Sequence, residues 1–200
     1  MKSLKGTQTH KNLMKAYVGE SQARNRYTFY GDIAKKQGYP LIKQTFDFTA
    51  EQERIHGKIF FGYLAEEFNG QSIEIEANYS LDLYQEDTVK NLFVSIAAET
   101  QEHEEIYPDF AKVAREEGFS KIATSFELIS KIEAEHSRRF ANLAKKLEDG
   151  SLFNKPDPVA WHCQICGHIH FEVSAPTLCA VCNHPKGYFL FEISQKTSGF

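Results

Sequence analysis

The sequence predicts four long helices packed as a bundle, followed by a small cysteine-stapled module. Apolar residues recur at three- and four-residue steps through residues 8 to 37, 41 to 68, 87 to 117 and 120 to 148, the period of a helix with one buried face. Turn signals at "KQGYP", "NGQS", "EEGFS" and "EDGS" separate these runs. All four cysteines fall in two Cys-x-x-Cys pairs inside a span of twenty residues near the C-terminus.

The first helix directs Leu13, Ala16, Tyr17, Ala23, Tyr27 and Tyr30 to the core, and the second Phe46, Thr49, Phe60 and Leu64, with "IFFGYL" at 59 to 64 as core filling. The third contributes Leu92, Ile96, Ile106, Phe110 and Val113, and the fourth Phe126, Ile129, Phe140, Leu143 and Leu147. Gly38-Tyr39-Pro40 and Gly118 make short turns, whereas residues 69 to 86 form a long connection between the second and third helices. A crossover there joins two helical hairpins in ferritin-like bundles. The bundle is therefore assigned to residues 1–149, a Pro- and Gly-containing extended linker to 150–159, and the cysteine module to 160–200.

Composition narrows the function. A net charge of −4 with interspersed signs gives no basic footprint for nucleic acid or acidic membranes. The polar start lacks the apolar segment of a signal peptide, and no run approaches the roughly 18 apolar residues of a membrane span. A cytoplasmic protein is expected. In a reducing compartment, paired cysteines point to metal ligation rather than disulfides.

Ionisable residues interrupt every apolar stripe at mid-height. Glu20 sits in the first, Glu53 and His56 in the second, Glu99 and Glu102 in the third, Glu133 and His136 in the fourth. An isolated Glu-x-x-His on a helix is more commonly a solvated or ion-paired couple. Five acids in one core are another matter, because each buried unpaired carboxylate costs several kcal/mol. Cations must compensate them, and two irons suit carboxylate and imidazole donors. A lone Glu from two helices and Glu-x-x-His from the other two is the donor pattern of di-iron bundles. Glu20 and Glu99 are the lone acids here. The spacings Glu20 to Glu53 (33 residues) and Glu99 to Glu133 (34) make the halves near-repeats, as "GESQ" and "AETQ" echo each other. They differ where Ala23 corresponds to Glu102, which gives one half an additional carboxylate and a candidate seventh ligand. Tyr27 and Tyr107 share these faces and are read either as core or as hydrogen-bond partners of the ligands. His10, His103, His168, His170 and His184 are read as surface or structural residues.

Cys163-x-x-Cys166 and Cys179-x-x-Cys182, twelve residues apart, predict a tetrahedral four-thiolate site that zinc or iron would fit. Gly167 and Asn183 follow the pairs and tolerate the left-handed backbone of a knuckle turn.

With "GESQARNRY", "EQERIH", "ETQEHEEIYPDFAKVAREEGF", "EAEHSRRF", "WHCQICGHIH" and "CAVCNHPKGYF" assembled, the chain resembles the rubrerythrin family over essentially its whole length. The second knuckle departs from small free rubredoxins, which have Cys-Pro and a following Gly where this chain has "CAVCNHP". The resemblance implies a ferritin-like bundle with two non-haem irons, a rubredoxin-like domain with one iron (or zinc in a given preparation), and peroxidase activity in oxidative-stress defence. It implies that Glu20, Glu53, Glu99, Glu133 and His136 hold the iron pair, with His56 exchanged for Glu102 on oxidation. Hydrogen peroxide would be the substrate, the cysteine-bound iron an electron relay, a rubredoxin- or reductase-type protein the donor, and a homodimer the assembly. Two rivals stand beside this reading: a ferroxidase or oxygen-reducing di-iron protein, and a non-catalytic zinc-binding interaction protein.

Overall fold

The computed structural model describes residues 2–75 and 77–191. Helices α1 (Gln8–Lys36) and α2 (Pro40–Phe68) form one hairpin. Its turn is set at two positions: Gly38 adopts φ +86°, and Pro40 opens α2 where a missing N–H costs nothing. The second hairpin comprises α3 (Thr88–Gln101), a π turn (Glu102–Ile106), α4 (Tyr107–Glu116) and α5 (Ser120–Glu148). Side chains start two of these helices: Thr7 accepts from the His10 amide at 3.1 Å, and Asp87 from the Lys90 amide at 2.9 Å. Glu117 crosses between hairpins and accepts from the Gln8 and Thr9 amides at the N-terminus of α1. The crossover between α2 and α3 has no helix or strand among its described residues.

The π turn corrects the single third helix expected from periodicity. Tyr107 donates its N–H to the Glu102 carbonyl, five residues back, so one residue is inserted into the helical register. Everything beyond it rotates by about one residue's 100°. The expected inward residues Ile106, Phe110 and Val113 are only half-buried, and Tyr107, Ala111 and Ala114 take their place in the core. "IFFGYL" is also corrected: Phe60 and Leu64 are buried, but Ile59 and Phe61 remain 39% and 51% exposed.

Two apolar clusters fill the bundle. One contains Leu13, Phe60, Tyr107 and Phe126, and the other Tyr27, Phe46, Leu92 and Phe140. Between them lies a layer of Glu20, Glu53, His56, Glu99, Glu133 and His136, each 4% exposed or less. No helix among the described residues is long and apolar enough to cross a membrane.

The module is a three-stranded antiparallel sheet of β1 (Asn154–Cys163), β2 (Ile169–Ser174) and β3 (Phe189–Phe191), in the order β2-β1-β3. Residues 154–159 of the stretch expected to be an extended linker belong to strand β1. Its pairing is irregular between Asn154 and Val159, where Pro156 and Pro158 have no N–H to donate. The module seats on the α1–α2 turn: a Cβ on Gly187 would lie 2.0 Å from the Gly38 carbonyl oxygen, so only glycine permits this approach. Tyr39 stacks on Phe153 at the same joint. The terminal "SQKTSGF" lies outside the described residues.

Candidate metal centres

The six buried polar residues of the bundle converge as two overlapping groups. Glu20, Glu53, His56 and Glu133 bring ligand atoms within 4.8 Å of one another, and so do Glu53, Glu99, Glu133 and His136. Glu53 and Glu133 belong to both. His56 Nδ1 lies 3.1 Å from Glu53 and 3.0 Å from Glu133, and His136 Nδ1 lies 2.7 Å from Glu133 and 3.0 Å from Glu53. This reproduces the near-repeat of the sequence as a near-twofold arrangement, one Glu-x-x-His from each hairpin.

The cluster fits metal better than it fits itself. Glu20 Oε2, Glu53 Oε1, Glu99 Oε2, both oxygens of Glu133 and His136 Nδ1 are fully buried without a hydrogen bond, although several stand near 3 Å from one another. Their lone pairs aim at shared points instead of at donors. Buried polar atoms are otherwise almost always satisfied, so this concentration marks cation positions.

The outward atoms of the ligands are held. Tyr27 donates its hydroxyl to Glu99 Oε1 and Tyr107 to Glu20 Oε1, leaving the other oxygen of each lone acid free to face inward. His136 Nε2 lies 3.0 Å from Gln52 Oε1, which also accepts from Arg139 at 3.1 Å. Gln52 Oε1 therefore accepts from the Nε2–H, which turns Nδ1 toward the cluster, where a bound cation would take its lone pair. The sequence reading missed Gln52 and Arg139. The signal available was weak: Arg139 lies three residues beyond His136, and Gln52 immediately precedes Glu53.

Glu102 is not in either group. It is half-buried at the start of the π turn, beside the cluster, while His56 occupies a central place. The five histidines set aside from the sequence join no metal-ligating group among the described residues; His10 stacks on Phe68, and His103 bonds the Ser130 carbonyl at 3.0 Å.

Without metal, protons would have to balance these charges. Burial first, and neighbouring carboxylates second, push Glu20 and Glu102 well above the usual carboxylate range and Glu99 up to about 8. Burial alone would lower His56, but contact with Glu133 and Glu53 raises it to about 9; His136 rises to about 12 for the same reason. Glu53 goes the other way: burial would raise it, and His136 and His56 outweigh that and hold it at about 2. The folded metal-free protein thus keeps protons on Glu99 and His56 that the unfolded chain releases from 4.5 and 6.5 upward, so their stabilisation is lost as pH rises toward 8 and 9. The contribution of Glu53 is lost only as pH falls from 4.5 toward 2. Metal-free protein is expected to melt highest in mild acid and to lose at least about 2–4 °C by alkaline pH, the shift about 1 kcal/mol produces in a chain of this size. Iron should abolish the alkaline loss, since cations then replace the protons. A metal-free melting temperature that climbs between pH 5 and 9 would contradict the assignment.

In the module, Cys163, Cys166, Cys179 and Cys182 bring their sulfurs within 4.8 Å of one another. Cys163 and Cys182 stand 3.7 Å apart, and Cys166 and Cys179 3.6 Å. A disulfide needs about 2.05 Å. A tetrahedron with metal–sulfur bonds near 2.3 Å has edges of about 3.8 Å, which these separations match. Gly167 (φ +76°) and Asn183 (φ +57°) donate back to the Cys163 and Cys179 carbonyls at 2.9 Å, so both knuckles turn as the sequence suggested.

Comparison with known proteins agrees with both sites. The rubrerythrin family profile matches residues 11–144, and the profile of the rubrerythrin rubredoxin-like domain matches residues 161–190. Rubrerythrin-1 of Clostridium acetobutylicum is 47% identical over 190 residues, 94% of this chain and 96% of that protein. Rubrerythrin of Porphyromonas gingivalis is 45% identical, covering 94% of this chain and 92% of the relative. Among solved structures, fully reduced, all-ferrous nigerythrin superposes with a TM-score of 0.63 at 28% identity, covering 94% of this chain and 91% of that one. The bundle thus carries a carboxylate–histidine di-iron site and the module a four-cysteine rubredoxin-like site, and the chain belongs to the rubrerythrin family.

Proposed function

We propose that this oxidoreductase is a peroxidase that reduces hydrogen peroxide to water in the cytoplasm, as part of defence against oxidative stress. The observation that carries the reading is the spare carboxylate: Glu102 stands on a π turn beside a complete histidine-containing set, where it can replace His56 without any new residue being recruited. Glu20, Glu53, His56 and Glu133 would hold one iron, and Glu53, Glu99, Glu133 and His136 the other. When bound, the ferrous pair supplies the two electrons that, with two protons, convert peroxide to two waters. Tyr27 and Tyr107 keep their protons at neutral pH, because burial and then the adjoining Glu99 and Glu20 raise both well above the usual phenol range. They remain donors that orient the two lone acids. A ferric ion favours an anionic oxygen over neutral imidazole, so Glu102 would enter on oxidation.

The electron path belongs to the same proposal. The module sits at the Gly38 end of the bundle, and Glu53 lies thirteen residues up α2 from Pro40, about 20 Å at 1.5 Å per residue. That span favours a homodimer in which the partner's module approaches the cluster. Exposed Ile165, Leu178 and Val181 beside the outward Cys166 give an electron-donor protein of rubredoxin or reductase type an apolar landing surface.

Mixing anaerobically reduced protein with peroxide or with dioxygen tests the reading. Peroxide is expected to oxidise the centre at least about tenfold faster, a difference of about 1.4 kcal/mol in barrier. Equal rates would favour the ferroxidase or oxygen-reducing alternative. Glu102→Ala should retain most of the iron, because six other side chains remain, yet turn over peroxide about tenfold or more slowly. Turnover at the parent rate would remove the exchange role.

A further inference from the structure

We infer that Tyr79, on the crossover between α2 and α3, is a specificity-determining gate over the route by which oxidant reaches the carboxylate cluster. The inference rests on the peroxide-reducing reading for its substrate, but not for its geometry.

A pocket of about 290 Å³ opens on the bundle surface and is lined by Ala16, Gly19, Tyr79, Glu102, Tyr107 and Phe110. Its inner wall belongs to the site: Tyr107 donates to Glu20, Gly19 directly precedes Glu20 in α1, and Glu102 is the spare acid. Tyr79 closes the outer side. Its hydroxyl donates to the Lys15 carbonyl at 2.6 Å, and its ring lies over Gly19. That carbonyl is one helical turn before Gly19, so the phenol reaches it by crossing bare backbone.

Gly19 lies on the pocket wall beside both Tyr79 and Glu102. A Cβ built there would lie 3.7 Å from Tyr79 Cε1 and 3.8 Å from Glu102 Oε1, in ordinary contact with both. A methyl at Gly19 therefore takes up room beside both the phenol and the acid. Hydrogen peroxide, with two heavy atoms, needs far less room to pass the phenol than a branched tert-butyl group. The phenol is tied by a single hydrogen bond on a segment without helix or strand, and it is 36% exposed, so it can swing without disturbing the bundle core.

Two variants with opposite expected effects test this, and neither alters a metal-binding side chain. Tyr79→Ala widens the pocket. Gly19→Ala narrows it, and alanine suits a helix interior and meets no clash there. In reduced, iron-loaded protein of equal iron content, the association rate of nitric oxide is expected to rise about tenfold in Tyr79→Ala and to fall about tenfold in Gly19→Ala, the low end of what one methyl in a pocket is worth. The ratio of kcat/KM for tert-butyl hydroperoxide to that for hydrogen peroxide should rise at least about tenfold in Tyr79→Ala. Tyr79→Phe keeps the ring and should change that ratio less. Nitric oxide rates that stay unchanged in both alanine variants overturn the gate, and an unchanged hydroperoxide ratio overturns its part in specificity. If the unaltered protein consumes neither peroxide while the nitric oxide rates still shift, the gate stands and the peroxidase reading falls.

Discussion

Glu53→Ala is expected to leave the bundle folded but deprived of both irons. Glu53 belongs to both ligand groups, as Glu133 does, so its loss takes a donor from each metal position at once. Disturbing a hydrogen-bond partner of a metal ligand already costs about 10–100-fold in affinity, and removing a shared ligand should exceed that range. Glu99→Ala makes a useful contrast: Glu99 belongs to only one group, so one iron should be retained there more readily than any in Glu53→Ala. The fold should survive because the aromatic clusters around Phe60 and Phe126 on one side, and Phe46 and Phe140 on the other, do not depend on Glu53. The check is iron per chain after anaerobic loading and dialysis against chelator, with helical content followed in parallel. Two irons retained per chain in Glu53→Ala would show that the overlapping groups are not the metal site.

The sequence carries most of this site because its chemistry is tied to period. Glu53 and His56, and likewise Glu133 and His136, occupy i and i+3 on stripes that are otherwise apolar, and burial of charge on that pattern has few physical outcomes. The four-helix architecture follows from the same stripes and from the turn residues Gly38, Pro40 and Gly118. The third helix was less legible. A π turn has no composition of its own, so a strict helical period carries Ile106, Phe110 and Val113 inward and misses the one-residue shift to Ala111 and Ala114, although Tyr107 was legible as an inward residue. Glu102 precedes that shift and keeps the ordinary helical bond to the Ala98 carbonyl, so its spacing to Glu99 does place it beside the cluster. Contacts that cross between segments distant in sequence were equally hidden. Tyr79 meets Lys15 across 64 positions, and Gln52 meets His136 across 84. Both involve common residue types with no periodic signature, so only the packed helices reveal them.

Cys179→Ser should abolish steady peroxide turnover while sparing a single turnover of the pre-reduced bundle. Cys179 is fully buried and lies 3.6 Å from Cys166. Burial would raise its thiol, but the Cys182 and Val181 amides outweigh that and lower it to about 6, so it is a thiolate at neutral pH, ready to bind metal. A serine hydroxyl stays protonated there and offers a hard oxygen in place of a soft sulfur, which removes one of four ligands from the site. With a core of little more than Trp161, Phe189 and two of the cysteines, the module depends on that metal for its fold. The variant should therefore lose its visible thiolate-to-iron absorption, and the fluorescence of Trp161, the chain's only tryptophan, should report loosening of the module. Steady turnover with a reduced donor is expected to fall by about 100-fold, equivalent to about 2.7 kcal/mol in barrier. Unfolding could produce that loss without any relay, and zinc separates the two. Protein carrying zinc in the cysteine site and iron in the bundle keeps the tetrahedral staple and a native Trp161 signal, but zinc has no redox chemistry. If that form also stops turning over, electrons enter through the cysteine-bound iron. If it works at the parent rate, the module is structural and the electron path between the two sites must be abandoned.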